Sequence, residues 1–283
     1  MHILYEVAKR YPQLLLPIRE GISQSDEFRN AVLRGKKVDA EPVFSFAEGD
    51  NLSFCDTPAG RAEILFLSKR EDFVHAYRAL GYRCEPADIP ASVGAATILG
   101  LFNWDKIHSH EEAWLAAGNT DWPSEFARFT SIKENYVDTL ILLSAGPYSS
   151  VPAEWVGLEE DEWIRQSVQI RKYHELTHFV CRKLAPEKKD ILRDEIYADC
   201  IGLLAAFGTY DTHMAEVFLG IESGAFREGG RLAHYTEGDP TGSMETVRQW
   251  IREAAGRIDE AGWNREPAGD GTDGIFELLL RIY

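Results

Sequence analysis

The sequence predicts an α+β, helix-rich fold in which the strands precede one long helix. Three observations carry this expectation. Val137–Ser144 (V-D-T-L-I-L-L-S) is a run of aliphatic residues closed by the breakers Gly146 and Pro147, which reads as a strand. Ala62–Leu67 (A-E-I-L-F-L) reads as a second strand. From Trp155 onward the apolar residues recur at helical spacing, broken by glycine-rich loops.

Taken in order, Ile3, Leu4 and Val7 start a helical stretch that resumes after Pro12. Ser23, Ser25 or Asp26 is placed to cap a helix running through Leu33. Residues 35–60 hold Gly35, Pro42, Gly49, Pro58 and Gly60 and read as a long loop or a boundary. After the Ala62–Leu67 strand, Glu71–Leu80 is a helix stopped by Gly81, and Tyr82–Glu85 is a short strand. Residues 91–104 fit helix or strand, although Gly94 and Gly100 weaken a helix. Glu111–Ala117 is a short helix ending at Gly118. Just ahead of it, His108 and His110 would share a face only if the segment were a strand; two solvated loop histidines is the plainer reading. Beyond Gly208, helices are expected over Thr212–Leu219, Met244–Ala255 and Ile275–Tyr283, with a loop-rich region at 223–243 and a surface linker at 264–274.

The chemistry sits at His174-Glu175-Leu176-Thr177-His178. At about 100° per residue, Ile170, Tyr173, Leu176, Thr177, Val180 and Leu184 form one apolar stripe, with the two histidines at its edge. Residues four apart share a helix face, so His174 and His178 can reach one metal ion. Glu175 lies about a quarter turn away, where a carboxylate can serve as the base for a metal-bound water. The acidic run Glu159–Glu162 near the helix start complements the helix dipole and is not read as ligating.

Pro186 ends this helix, and a second begins after a short link. On it, Glu195 and Asp199 are again four apart, on a helix made apolar nearly all round by Ile196, Ile201, Leu203, Leu204 and Phe207. Buried carboxylates need partners. Packing of the two helices brings Glu195 to the histidines as third ligand and lets Asp199 accept an imidazole N–H. The short segment between His178 and Glu195 leaves Asp194 or Asp199 as alternative third ligands.

H-E-x-x-H followed by E-x-x-x-D on the next helix resembles the gluzincin branch of the zincin metallopeptidases, over about residues 135–208. The resemblance implies a zincin-like core with a mixed sheet ahead of the metal-binding helix. It implies zinc held by His174, His178 and Glu195, Glu175 as general base, and Asp199 orienting the first histidine. It also implies that an extended peptide pairs with the strand before the helix, at Thr139–Ala145. The function expected is that of a zinc-dependent hydrolase, a metallopeptidase acting on a peptide or protein. A zincin-like protein with a structural zinc, or a hydrolase of non-peptide amides, is the alternative. A donor for the oxyanion is required; His234 is taken as that catalytic residue, with Tyr235, Arg231, His213 and Tyr210 as further candidates.

Composition limits the partners. The net charge of −16 over 283 residues disfavours nucleic acid and anionic membrane surfaces. No run approaches the ~20 apolar residues of a membrane span, and no signal core opens the chain. Cys55, Cys84, Cys181 and Cys200 lack C-x-x-C spacing, and Cys181 and Cys200 fall in apolar helical patterns as reduced core residues. A cytoplasmic protein is expected. Its domains read as an N-terminal α/β portion over 1–130 and the metal-binding core with its helical C-terminal part over 131–283.

Overall fold

The computed structural model describes residues 2–187, 190–263 and 273–283; most of the linker expected at 264–274 lies outside them. The α+β class is as expected, with a four-stranded mixed sheet ahead of the helical region.

Helix α1 spans Ile3–Arg10, capped by the His2 side chain, which accepts the Leu4 N–H at 3.3 Å. Ser25 proves to be the cap of the second helical piece: its Oγ accepts the Phe28 N–H at 3.1 Å. The α-helical turn Asp26–Phe28 then widens into a π-helix over Arg29–Leu33. Strand β1, Asn51–Thr57, lies inside the stretch read as irregular. It is a sheet edge on which Cys55 alone is fully buried, so it shows no apolar alternation. Strand β2 spans Gly60–Leu67 and helix α2 spans Arg70–Gly81. The short strand expected at Tyr82–Glu85 is instead a turn, because Arg83 and Cys84 take left-handed φ of 55° and 63°.

The undecided segment resolves into strand β3, Ala95–Phe102. Helix α3, Trp104–Ala116, starts earlier than expected because the Asn103 side chain caps it by accepting the Lys106 N–H. His108 and His110 therefore stand two apart on a helix and do not share a face. His110 bonds Glu125 at 2.5 Å, and the His108 ring lies 5.7 Å from that of Trp104. Glu125 belongs to α4, Trp122–Thr130, a helix not foreseen from the sequence. Strand β4 spans Val137–Ser144, as expected. The sheet order is β1-β2-β4-β3, so β4 is interior. Both its edges are paired, and the peptide docking expected at Thr139–Ala145 is closed; β3 is the edge on that side.

Two compact units emerge. The first comprises Met1–Ser53, Glu63–Ile89 and Ile98–Leu142. Its buried residues include Leu4, Val7, Tyr11, Leu14, Leu65, Phe73 and Ile141. Asp138 gathers the Tyr11 hydroxyl at 2.8 Å, the Asn103 amide at 2.6 Å and the Lys106 ammonium at 2.6 Å, which satisfies a carboxylate that is largely removed from water.

The second unit comprises Phe54–Ala62, Pro90–Thr97 and Leu143–Tyr283. Helix α5, Glu160–Leu184, has acidic residues in its first turn and Arg182 and Lys183 in its last, as the helix dipole favours. Its apolar stripe is buried from Ile170 to Val180, but Leu184, the last residue of the helix, is 47% exposed. Helix α6, Ile191–Phe207, starts where the Asp190 side chain accepts the Arg193 N–H and ends at Gly208 in the left-handed conformation. The two helices pack closely at Gly202, where a Cβ would lie 2.8 Å from the Ile170 carbonyl oxygen. Helix α7 (Thr212–Leu219), the hairpin β5–β6 (Ile221–Glu222 and Ala225–Phe226), α8 (Met244–Glu260) and α9 (Asp273–Ile282) also belong to the unit. Trp163, Ile170, Ile196, Leu203, Phe218, Leu232, Val247 and Ile251 form its core. All four cysteines are buried free thiols. Among the described residues, no helix is long and apolar enough to cross a membrane.

Candidate metal centre

The i,i+4 spacing on α5 does what the sequence requires of it. His174 and His178 turn their Nε2 atoms toward one another at 3.1 Å. The close packing of α6 then delivers Glu195, whose Oε2 lies 3.3 Å from His174 Nε2 and whose Oε1 lies 3.3 Å from His178 Nε2. One ligand atom from each of the three residues lies within 4.8 Å of the other two. Asp194, the alternative on this helix, turns to the C-terminus, where it accepts the Tyr283 hydroxyl at 2.5 Å.

Asp199, one turn beyond Glu195, is 1% exposed and meets the far side of the first imidazole, 2.9 Å from His174 Nδ1. It therefore accepts that N–H and turns Nε2 of His174 toward His178 and Glu195, which is the nitrogen a bound metal would take. The Tyr148 hydroxyl joins them, 2.6 Å from Asp199 and 2.9 Å from His174 Nδ1. Arg231 closes the group. Its Nη1 donates to Asp199 Oδ1 at 3.1 Å, to the Tyr148 hydroxyl at 3.0 Å and to Ser149 Oγ at 3.1 Å. Its Nη2 donates to Glu195 Oε2 at 3.0 Å, which also accepts the Tyr235 hydroxyl at 2.9 Å.

The backbone is strained where Tyr148 enters. Ser149 and Ser150 are consecutive non-glycine residues at left-handed φ, 52° and 57°. Such conformations cost of order 1 kcal/mol each and persist where surroundings over-determine them. Here Arg171 donates to the Gly146 and Pro147 carbonyls, Ser167 Oγ accepts the Tyr148 N–H, and Arg231 holds Ser149.

Electrostatics follow from this packing. Burial opposes the charge on Asp199, but Arg231 and the hydrogen bond from His174 outweigh it and lower its pKa. Burial likewise opposes the charge on Glu195, and the hydrogen bonds from His174 and His178 hold its pKa well below the carboxylate range. Burial pushes His174 down, yet its bonds to Asp199 and Glu195 win and bring it up to about 9. Tyr148 is held protonated, far above the ordinary tyrosine value, by burial and by Asp199 against the opposing pull of Arg231.

Glu175 is 7% exposed on α5 and does not join the ligand set; its Oε2 accepts the Thr97 hydroxyl at 2.6 Å from β3. His234 is not brought to the cluster. It is exposed on the 3₁₀ turn Arg231–His234, and its ring neighbour is Tyr235 at 6.3 Å. The turn instead brings Arg231 and Tyr235 to the cluster, where both bond Glu195 Oε2. His213 is also exposed, and Tyr210 packs against the core without bonding to the cluster among the described residues. Tyr148 and Thr97 carried no local signal. Each reaches the site from a segment distant in sequence.

The donor set fits zinc. A metal ion 2.0–2.1 Å from tetrahedral donors separates them by about 3.3 Å; the two imidazole Nε2 atoms here lie 3.1 Å apart, and each has one of the two Glu195 oxygens 3.3 Å away, Oε2 for His174 and Oε1 for His178. Two imidazole lone pairs and a carboxylate converging at this range repel one another unless a proton or a cation lies among them. The donors are nitrogen and oxygen, as suits a borderline ion. No match to a curated protein or to a solved structure was found. The chain belongs to the family of unknown function DUF7005, whose model matches residues 3–272.

Proposed function

We propose that this chain is a zinc-dependent hydrolase of the gluzincin type, a metallopeptidase acting on a peptide or protein. The convergence of His174, His178 and Glu195, with Asp199 behind the first imidazole, supports this reading most directly. When bound, zinc would supply a Lewis acid and lower the pKa of water toward 7.

The chain's own residues supply the rest. Asp199 and Tyr148 fix the tautomer and tilt of His174. Thr97 holds one oxygen of Glu175, so that the other is left to take a proton from the attacking water and pass it to the leaving amine. Burial of Glu175 strengthens that exchange by keeping bulk water from competing. A structural zinc site has no use for a buried carboxylate between its histidine ligands, and this favours turnover over the structural reading. The four buried thiols suit a reducing compartment, and the reading places the chain in the cytoplasm.

The test is paired. Elemental analysis of the purified protein is expected to find one zinc per chain, lost on chelation. Glu175→Gln is expected to keep zinc and to lose turnover of a peptide library by roughly 10²- to 10⁴-fold. Absence of zinc after reconstitution, or activity that survives the substitution, defeats the proposal.

A further inference from the structure

We propose that Arg231 and Tyr235 are positioning residues that restrict Glu195 to ligation through a single oxygen. This rests on the metal-site reading above. The two oxygens of Glu195 are not equivalent. Oε2 accepts hydrogen bonds from Arg231 Nη2 at 3.0 Å and from the Tyr235 hydroxyl at 2.9 Å. A carboxylate oxygen offers two in-plane lone pairs, and these two donors occupy them. Oε1 has His178 Nε2 at 3.3 Å as its one recorded polar neighbour among the described residues. Oε2 also lies 3.3 Å from His174 Nε2, but Arg231 and Tyr235 already hold both of its in-plane lone pairs, so the lone pairs free to bind a cation are those of Oε1.

The consequence is for coordination number. A carboxylate that swings to bind through both oxygens fills a position that a hydrolytic site keeps open for water or substrate. Arg231 is built to prevent the swing. Its planar fork spans two carboxylates, Nη2 on Glu195 and Nη1 on Asp199, which a lysine ammonium cannot reproduce. The guanidinium is itself immobile: it is 7% exposed, bonded to Ser149 and Tyr148, and stacked 5.3 Å over the Tyr148 ring. The segment that carries it is pinned at Gly230, which packs on Gly220 so closely that a Cβ on Gly220 would lie 2.5 Å from the Gly230 Cα. That contact seats the 3₁₀ turn beside the β5–β6 hairpin and aims both Arg231 and Tyr235 at one oxygen.

The experiment uses the full chain loaded with zinc or cobalt(II). Zinc affinity is read by competition with a chromophoric chelator, and coordination number by the visible absorption of the cobalt form. Arg231→Lys and Tyr235→Phe are each expected to weaken zinc binding by about 10- to 100-fold. They should also dim the cobalt bands, as four-coordinate metal becomes five-coordinate. Wild-type protein that binds metal, with both variants unchanged in affinity and spectrum, overturns this inference alone. Tighter zinc binding in Arg231→Lys overturns it too, since the guanidinium would then be a competitor of the ion. If Arg231→Lys does not fold, Tyr235→Phe decides, because it removes one hydroxyl and no charge. Wild-type protein that takes up neither metal overturns the proposed function and this inference together.

Discussion

Asp199→Asn removes one charge and almost no volume at the point where the candidate centre is most heavily cross-linked. Asp199 accepts from His174 Nδ1 at 2.9 Å, from Tyr148 at 2.6 Å and from Arg231 Nη1 at 3.1 Å to Oδ1 and 3.2 Å to Oδ2. Asparagine presents one acceptor oxygen and an NH₂ that must face a donor, so at least one of these bonds becomes a clash of donors. Arg231 keeps a single carboxylate, Glu195, in a site where it is 7% exposed. Breaking a buried charge pair from one side costs about 3–5 kcal/mol of folding stability. The ligands themselves survive, and the lost orientation of His174 should weaken zinc binding by about 10- to 100-fold. Urea unfolding of the metal-free protein and chelator competition of the loaded protein measure the two effects separately. Zinc affinity equal to that of wild type would refute the orienting role. Loss of zinc as complete as in Glu195→Ala would make Asp199 a ligand.

Gly202→Ala should push α6 off the Ile170 carbonyl, since its Cβ would sit 2.8 Å from that oxygen. The overpacking costs about 1–3 kcal/mol, more than helix propensity returns, and zinc affinity should fall because Glu195 rides on α6; unchanged affinity would show that the close approach does not set the site. In the metal-free protein, His174 is raised from 6.5 to about 9, so its contribution to stability is complete below pH about 6.5 and is lost as pH rises through about 9. Glu195 and Asp199 are depressed below 4.5 and 3.8, so theirs is complete above those values and lost as pH falls. The cluster should therefore stabilise the chelated protein most between pH about 4.5 and 6.5, and denaturant midpoints across pH check this. Below pH about 9, zinc affinity should fall with acid by about tenfold per pH unit for the proton that the metal displaces from His174. Thr97→Val leaves a buried Glu175 oxygen without its donor, which costs about 1–3 kcal/mol and should lower turnover with zinc content unchanged.

Residue spacing alone pairs His174 with His178 on one helix face and Glu195 with Asp199 on another, because an i,i+4 pair is local geometry: a helix repeats every 3.6 residues wherever it lies. The same holds for β4, whose eight residues are as predicted, and for α7, framed by the Asp211 cap and Gly220. What local geometry cannot contain is the identity of partners distant in sequence. Tyr148 reaches His174 only because Arg171 and Ser167 hold a strained turn in place. Thr97 meets Glu175 only because β3, and not β4, takes the edge of the sheet. His234 was the natural choice for a donor by chemistry, yet a 3₁₀ turn sends it outward and Arg231 and Tyr235 inward. Periodicity along the chain thus determined which side chains share a helix face. Packing between helices, strands and loops, which depends on contacts made across long stretches of sequence, decided which of them meet, and with whom.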